Sequence, residues 1–324
     1  MEQRSVGRSG LKVSRLGLGT MTWGVETDPD EAAAQLVAFR DAGGTLVDTA
    51  ASYGLGESET ILGGLLADVV PRSELVVSSK AGIVRTPQGE RTVDASRGAL
   101  LDQLDTSLRR VGTDHLDLWY VHTVDDAVPW DETLSALDHA VSTGKVRYVG
   151  VSNYAGWRLG RAAAWQQAVP GRAPIVANQV RYSLIDRGVE REVVPAADAL
   201  GVGVFPWSPL GGGLLTGKYR GGIPSDSRAA SEATRGLIDV DDPVSAGIVE
   251  AVATAAEGLA TSPVSVALAW LRDRPGVAAP IVGARTLGQL TGALASEALD
   301  LPREIAIALD DVSAPSVGYP EDVR

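Results

Sequence analysis

Eight short apolar runs, each followed by a stretch with helical spacing, recur along this chain of 324 residues, and that alternation restricts the fold more than any other feature. The runs cover residues 15–18, 45–48, 75–79, 116–122, 146–152, 175–179, 203–207 and 279–282. They are continuous rather than alternating, the pattern of parallel strands covered on both faces by helices. The clearest intervening helix carries Leu100, Leu104, Leu108 and Val111 on one face, with Asp102, Arg109 and Arg110 on others. Further helices are expected to begin near Asp30, Glu57, Trp130, Ala155, Glu190, Val244 and Pro263, the last fitting a first turn opened by Ser262. Eight strand–helix units predict an α/β fold, a (β/α)8 TIM barrel, as a single domain over residues 1–324.

Three segments fall outside the repeat. A short hairpin at about residues 3–14 is expected to plug the lower end of the barrel. Residues 211–242, rich in Gly and Ser, separate the seventh strand from its helix; a connection that long suggests a functional lid. Extra C-terminal helices are expected at about 287–296 and around Ile305, Leu309 and Val312.

Composition narrows the function classes. A net charge of -12, from 29 basic and 41 acidic side chains, opposes binding to nucleic acid or anionic lipid. No apolar run approaches a membrane span, and the N-terminal residues lack an apolar signal region, so a cytoplasmic protein is expected. With no cysteine and three histidines, thiolate chemistry is excluded and no metal centre is expected.

Barrel strands converge at their C-terminal ends, so residues far apart in sequence meet there. Asp48 closes the second run, Lys80 follows the third, His122 closes the fourth, and Tyr53 lies in the loop after the second. Taken singly, each has an ordinary structural explanation. Together they suit carbonyl reduction: a phenol as proton donor, an ammonium to lower its pKa, a carboxylate to hold that ammonium, and an imidazole to orient the carbonyl oxygen. A Schiff-base lysine is the competing chemistry; it requires a depressed lysine pKa, whereas Asp48 would raise it.

Later strand ends offer cofactor contacts. Ser152, Asn153 and Gln179 can bond a carboxamide, and Trp207 can stack on a nicotinamide ring. No Gly-x-Gly-x-x-Gly follows a strand, so the usual dinucleotide fold is not indicated. Gly211, Gly212 and Gly213 can instead approach a pyrophosphate through backbone N–H groups, with Lys218 supplying charge. Arg285 stands just beyond the eighth strand, where barrels often bind phosphate. Trp23, Val84 and Trp130, with the lid, are candidates to line a substrate pocket.

Ordered matches extend this reading: Leu16-Gly17-Leu18-Gly19-Thr20-Met21 with Trp23-Gly24, Asp48-Thr49-Ala50 with Tyr53-Gly54, Ser58-Glu59, Ser79-Lys80, and Asp117-Leu118 with His122. They continue through Gly150-Val151-Ser152-Asn153, Asn178-Gln179, Ser208-Pro209-Leu210-Gly211, Leu215-Thr216-Gly217-Lys218-Tyr219 and Gly283-Ala284-Arg285. Over nearly its whole length the chain resembles the aldo-keto reductases, in the branch holding bacterial general-stress reductases and potassium-channel β subunits. The resemblance implies NADPH-dependent reduction of an aldehyde or ketone, with NADH also possible, and Asp48, Tyr53, Lys80 and His122 as catalytic tetrad. It also implies cofactor contacts from Gly19, Thr20 and Met21, from Ser152, Asn153 and Gln179, from Trp207 and Ser208, from Leu210, Gly212 and Lys218, and from Gly283, Arg285 and Gln289. Gly292 and Ala293 replace the acidic residue and Asn with which the family usually reads adenine. The alternative is an NADPH-binding sensor subunit that acts through a protein partner with little turnover.

Overall fold

The structure is a computed structural model that describes residues 1–85, 88, 90–225, 227, 229–230, 239–316 and 318–319. Residues 226, 228 and 231–238 of the expected lid, with 317 and 320–324 of the tail, lie outside the described residues.

An antiparallel hairpin, β1 (Gln3–Ser5) and β2 (Lys12–Ser14), opens the chain. The repeat follows: β3 (Gly17–Gly19), α1 (Pro29–Asp41), β4 (Leu46–Asp48), α2 (Glu57–Asp68) and β5 (Val76–Ala81). A second hairpin, β6 (Ile83–Arg85) and β7 (Arg91–Val93), interrupts it before α3 (Arg97–Val111). Next come β8 (Leu116–Val121), α4 (Trp130–Ser142), β9 (Val146–Ser152), α5 (Gly156–Ala168), β10 (Ile175–Arg181), α6 (Val193–Leu200) and β11 (Gly203–Trp207). Helices α7 (Pro243–Gly258) and α8 (Pro263–Arg272) precede β12 (Ile281–Gly283), and α9 (Leu287–Leu294) and α10 (Arg303–Val312) close the described chain.

The strands pair in parallel in the order β11-β10-β9-β8-β5-β4-β3-β12, and a bridge between Val204 and Val277 brings the two edges together. This is the (β/α)8 barrel expected from the alternation. Its interior is filled by Leu46, Leu118, Tyr120, Val176, Ala177, Phe205 and Ile281, in one cluster with Val6, Leu11 and Val13 from the opening hairpin. Arg8 donates its backbone N–H to Gly201 just ahead of β11, so the hairpin seals the N-terminal ends of the strands. Around the barrel, helix starts follow their sequence signals: Asp28, Ser96, Asp242, Ser262 and Thr286 each accept a backbone N–H in the first turn.

Two details differ from the sequence expectation. Helix α6 begins at Val193, after a separate 3-10 turn over Gly188–Glu190, rather than near Glu190. The β6–β7 hairpin was not anticipated, because three-residue strands rich in Arg and Thr carry no hydrophobic period.

Candidate active site

Asp48, Lys80 and the loop carrying Tyr53 meet because β4 and β5 are neighbours in register, with Asp48 opposite Ser78. Asp48 and Lys80 are fully enclosed, 2% and 1% exposed. The Lys80 ammonium donates to Asp48 Oδ2 at 2.5 Å, to the Thr49 carbonyl at 2.9 Å and to Tyr53 Oη at 3.1 Å. All three N–H bonds of the ammonium are therefore used. Asp48 Oδ1 accepts in turn from Ser78 Oγ at 2.8 Å and Gln179 Nε2 at 3.0 Å. Such full satisfaction is what a buried ion pair requires to persist.

The Tyr53 ring meets the His122 ring edge-on, with centroids 5.9 Å apart. His122 is fixed through its backbone, donating N–H to Ala81 at 2.8 Å and accepting from Asn153 Nδ2 at 3.0 Å. The buried Nδ1 of its ring has no partner among the described residues. Burial, reinforced by the positive charges of Lys80, Arg91 and Arg85, holds the imidazole pKa well below its ordinary value. A neutral ring keeps one N–H donor for a ligand oxygen.

Burial opposes charge on Lys80, but Asp48 and then Tyr53 outweigh it and hold the ammonium above its ordinary pKa. That direction disfavours the free amine a Schiff base needs. The phenol behaves differently from the expectation that Lys80 lowers it. Burial pushes the Tyr53 pKa up, Lys80 pulls it down, and Asp48 pushes it up again, leaving it above the ordinary tyrosine range. The ion-paired carboxylate cancels much of the ammonium's field at the phenol oxygen.

The loop that aims Tyr53 is held from behind. Gly54, Leu55 and Gly56 all have positive φ, +55°, +58° and +97°, a sequence of left-handed residues that winds the chain from β4 into α2. An added Cβ at Gly56 would fall 2.0 Å from the Arg110 guanidinium carbon. Arg110 crosses this turn to pair with buried Glu59 at 3.2 Å and to bond the Leu55 carbonyl, while Glu59 also accepts from Ser79 beside Lys80. Ser58 ties Thr20 to Thr49 through its hydroxyl. Of these, Ser58-Glu59 stood out in the sequence only as a matching dipeptide; Ser78 and Arg110 gave no signal, since their partners lie 30 and 51 residues away.

On the opposite side, Asn153 sits at φ +62°, donates to Ser152 Oγ, and accepts the Trp207 indole N–H at 3.0 Å. Trp207 is half-buried, and Ser208 after it has φ +52°. Gln179 donates to Asp48, which leaves its carbonyl oxygen for a carboxamide. Gly212 and Gly213 take φ +66° and +104° within the 3-10 turn that follows Leu210, and Lys218 Nζ folds back beside Gly213. Gly19 ends β3 against Ile281, Thr20 donates to the Asp48 carbonyl, and Met21 is exposed. Gly283 ends β12; the Arg285 backbone N–H is capped by Gln289 Oε1 at 2.9 Å, and its carbonyl accepts from Thr27. A half-exposed aromatic ring, amide and hydroxyl groups, a left-handed glycine turn and flanking cations fit a nicotinamide dinucleotide lying across the barrel mouth.

The three substrate-pocket candidates separate. Trp23 is 0% exposed and donates its indole N–H to Gln35, so it is a core residue and does not line a pocket. Its size and apolar ring let burial win over display at the rim. Trp130 starts α4 with its ring against Trp165 and under the Arg161 guanidinium of α5, in the outer helical layer. Val84 is exposed and shares a hairpin face with Thr92, opposite the buried Ile83. Ala293 is buried with Leu16, Leu268 and Val282, so of the two altered adenine positions only Gly292 is open to solvent.

A sequence model of the aldo/keto reductase family matches residues 15–314. The chain belongs to that family. It is 37% identical over 321 residues to an uncharacterized oxidoreductase, YrpG, of Bacillus subtilis (strain 168), covering 96% of both chains. It is 36% identical to a probable voltage-gated potassium channel subunit beta of Oryza sativa subsp. japonica, over 90% of this chain and 89% of that one. An L-glyceraldehyde 3-phosphate reductase of Escherichia coli (strain K12) is 35% identical over 90% of this chain and 86% of its own. The aldo/keto reductase assignment makes the protein an oxidoreductase of small-molecule carbonyl chemistry.

Proposed function

We propose that the protein reduces an aldehyde or ketone to the alcohol with NADPH as reductant, the proton coming from Tyr53 Oη. The observation that carries this reading is the Lys80 ammonium, bonded at once to Asp48 at 2.5 Å and to Tyr53 Oη at 3.1 Å. Trp207 would hold a nicotinamide ring by stacking, and the bound cofactor would supply the hydride for the reduction. As negative charge grows on the carbonyl oxygen, the Tyr53 O–H passes its proton to it, and the phenolate left behind is stabilised by Lys80. Asp48 keeps Lys80 charged and in place. Neutral His122 donates to the same carbonyl oxygen and orients it toward the phenol. Ser152, Asn153 and Gln179 would hold the carboxamide, Gly212 and Lys218 the pyrophosphate, and Arg285 with Gln289 the 2′-phosphate end.

The test is consumption of NADPH, and separately NADH, followed by absorbance with a panel of aromatic, aliphatic and dicarbonyl substrates. Carbonyl-dependent oxidation of NADPH at rates of ordinary enzymes supports the reading. Tight NADPH binding with no turnover across the panel overturns it in favour of a cofactor-sensing subunit.

A further inference from the structure

The β6–β7 hairpin springs from the end of β5, two residues after Lys80, and its pairing places Arg85 directly opposite Arg91. Side chains alternate between the two faces of a strand, so Arg85 shares a face with Ile83, and Arg91 with Val93. That face is turned toward the protein: Ile83 is 7% exposed, whereas Val84 on the other face is 41% exposed. Ile83 anchors that face to the protein, and Arg85 and Arg91 at its outer end are both exposed beside the rim of the barrel. The charges of both help to lower the pKa of the His122 imidazole, and that of Arg85 also acts on the Tyr53 phenol, in keeping with a hairpin that leaves β5 just after Lys80.

Like charges directly opposed across an antiparallel pair are destabilising. Among the described residues neither guanidinium has a carboxylate within 4.0 Å. Two nearby acidic groups are engaged with backbone instead: Asp94, just after β7, accepts from Ser96, and Asp125, in the loop after β8, accepts from Ala95 and Ala127. A chain with a net charge of -12 has thus placed two cations, with no ion-pair partner among the described residues, beside its candidate active site. Such a pair presents converging N–H donors in fork geometry, which matches carboxylate or phosphate oxygens.

We infer that Arg85 and Arg91 form an anion subsite, and that the natural substrate is a carbonyl compound carrying a phosphate or carboxylate group. The subsite selects the substrate by its charged end and leaves the carbonyl end to Tyr53 and His122. This inference rests on the proposed reductase activity, and its test separates the two.

Two matched pairs serve as probes: 4-carboxybenzaldehyde against methyl 4-formylbenzoate, and glyceraldehyde 3-phosphate against glyceraldehyde. The wild-type protein is expected to favour the charged member of at least one pair in kcat/KM, and which pair tells carboxylate from phosphate. The charged-to-neutral ratio in that pair is expected to fall about tenfold in Arg85→Gln or Arg91→Gln, and further in the double variant. Using the ratio cancels any general loss of fold or turnover. A ratio unchanged by both substitutions overturns the subsite. Should the wild-type protein reduce none of the four, the reductase reading is left to the wider substrate panel, and the subsite is judged by inorganic phosphate alone. Titrated against chloride of equal ionic strength, phosphate is then expected to shift the Arg85 and Arg91 Nε–H NMR signals, assigned by their loss in the Gln variants. No shift in either signal overturns the subsite independently of activity.

Discussion

The two halves of the barrel mouth are built differently. On the side of β4, β5 and β8, three of the four candidate residues are held by side chain to side chain bonds: Lys80 reaches Asp48 and Tyr53, Ser78 and Gln179 reach Asp48, and Glu59 with Arg110 braces the loop behind Tyr53, while His122 is fixed through its backbone. On the side of β11 and β12, the surfaces are backbone and half-exposed side chains: the Gly212 and Gly213 turn, the Trp207 ring, and the segment from Gly283 to Gln289. Proton transfer tolerates displacements of only fractions of an ångström, so its groups are fixed before any ligand arrives. On the proposed reading, a long, flexible, charged cofactor would be gripped instead at several separated points, where glycine lets the backbone approach and single side chains each add a modest contribution. Damage to the first half should therefore abolish chemistry at intact affinity, and damage to the second should weaken affinity at intact chemistry.

The largest expected effect is Tyr53→Phe, which should lower kcat on a good aldehyde on the order of 100-fold or more while leaving NADPH affinity within about twofold. Single-turnover measurements check whether chemistry limits the rate; a kcat near wild type under that condition removes Tyr53 as proton donor.

Next comes Arg285→Ala, expected to weaken NADPH binding by about 1.5–3 kcal/mol while changing NADH little, with the loss shrinking as salt rises. Titration of both cofactors into both proteins decides it: equal losses would mean that Arg285 holds its loop and does not read the 2′-phosphate.

Gly56→Ala sharpens the comparison from within the rigid half. At φ +97°, with the Arg110 guanidinium where a Cβ would stand, the substitution should cost about 1–3 kcal/mol of stability. Denaturant unfolding reads the cost, and a kcat loss larger than the NADPH affinity loss would show that the turn aims Tyr53. A neutral outcome in both would mean that the turn is not a brace.

The smallest effect concerns pH. Because His122 is held neutral in the fold, its pKa lies well below the unfolded value near 6.5. Above that value neither state is charged; as pH falls below it, the unfolded chain takes up a proton first and the fold loses stability, until the folded pKa is reached. Urea midpoints at pH 7.5 and pH 5.5 should thus drop less in His122→Gln than in the wild type. An identical drop would place the buried ring in a more solvated state.

Much of this was legible in the chain. Strand ends announced Asp48, Lys80 and His122 because a continuous apolar run that stops at a polar residue marks where a barrel strand leaves the core. The helix caps at Asp28, Ser96 and Ser262 were readable for the same local reason. The pocket candidates were not. Trp23 stands in a motif-like segment yet is wholly interior, and Val84 lies in a hairpin whose three-residue strands have no detectable period.

By itself the sequence determined the eightfold alternation, the order of the elements, and the placement of Asp48, Lys80 and His122 at strand ends on one rim, since each depends on residues within a few positions of one another or on the one rule that strand ends converge. Tertiary structure alone decided the protonation balance at Tyr53, where burial and Asp48 together outweigh Lys80. It also decided the Gln179 contact to Asp48 across 131 residues, and the opposition of Arg85 to Arg91 across a hairpin. Those features arise from distances and fields between groups remote in sequence, and a field falls off with separation in space, which no spacing along the chain records.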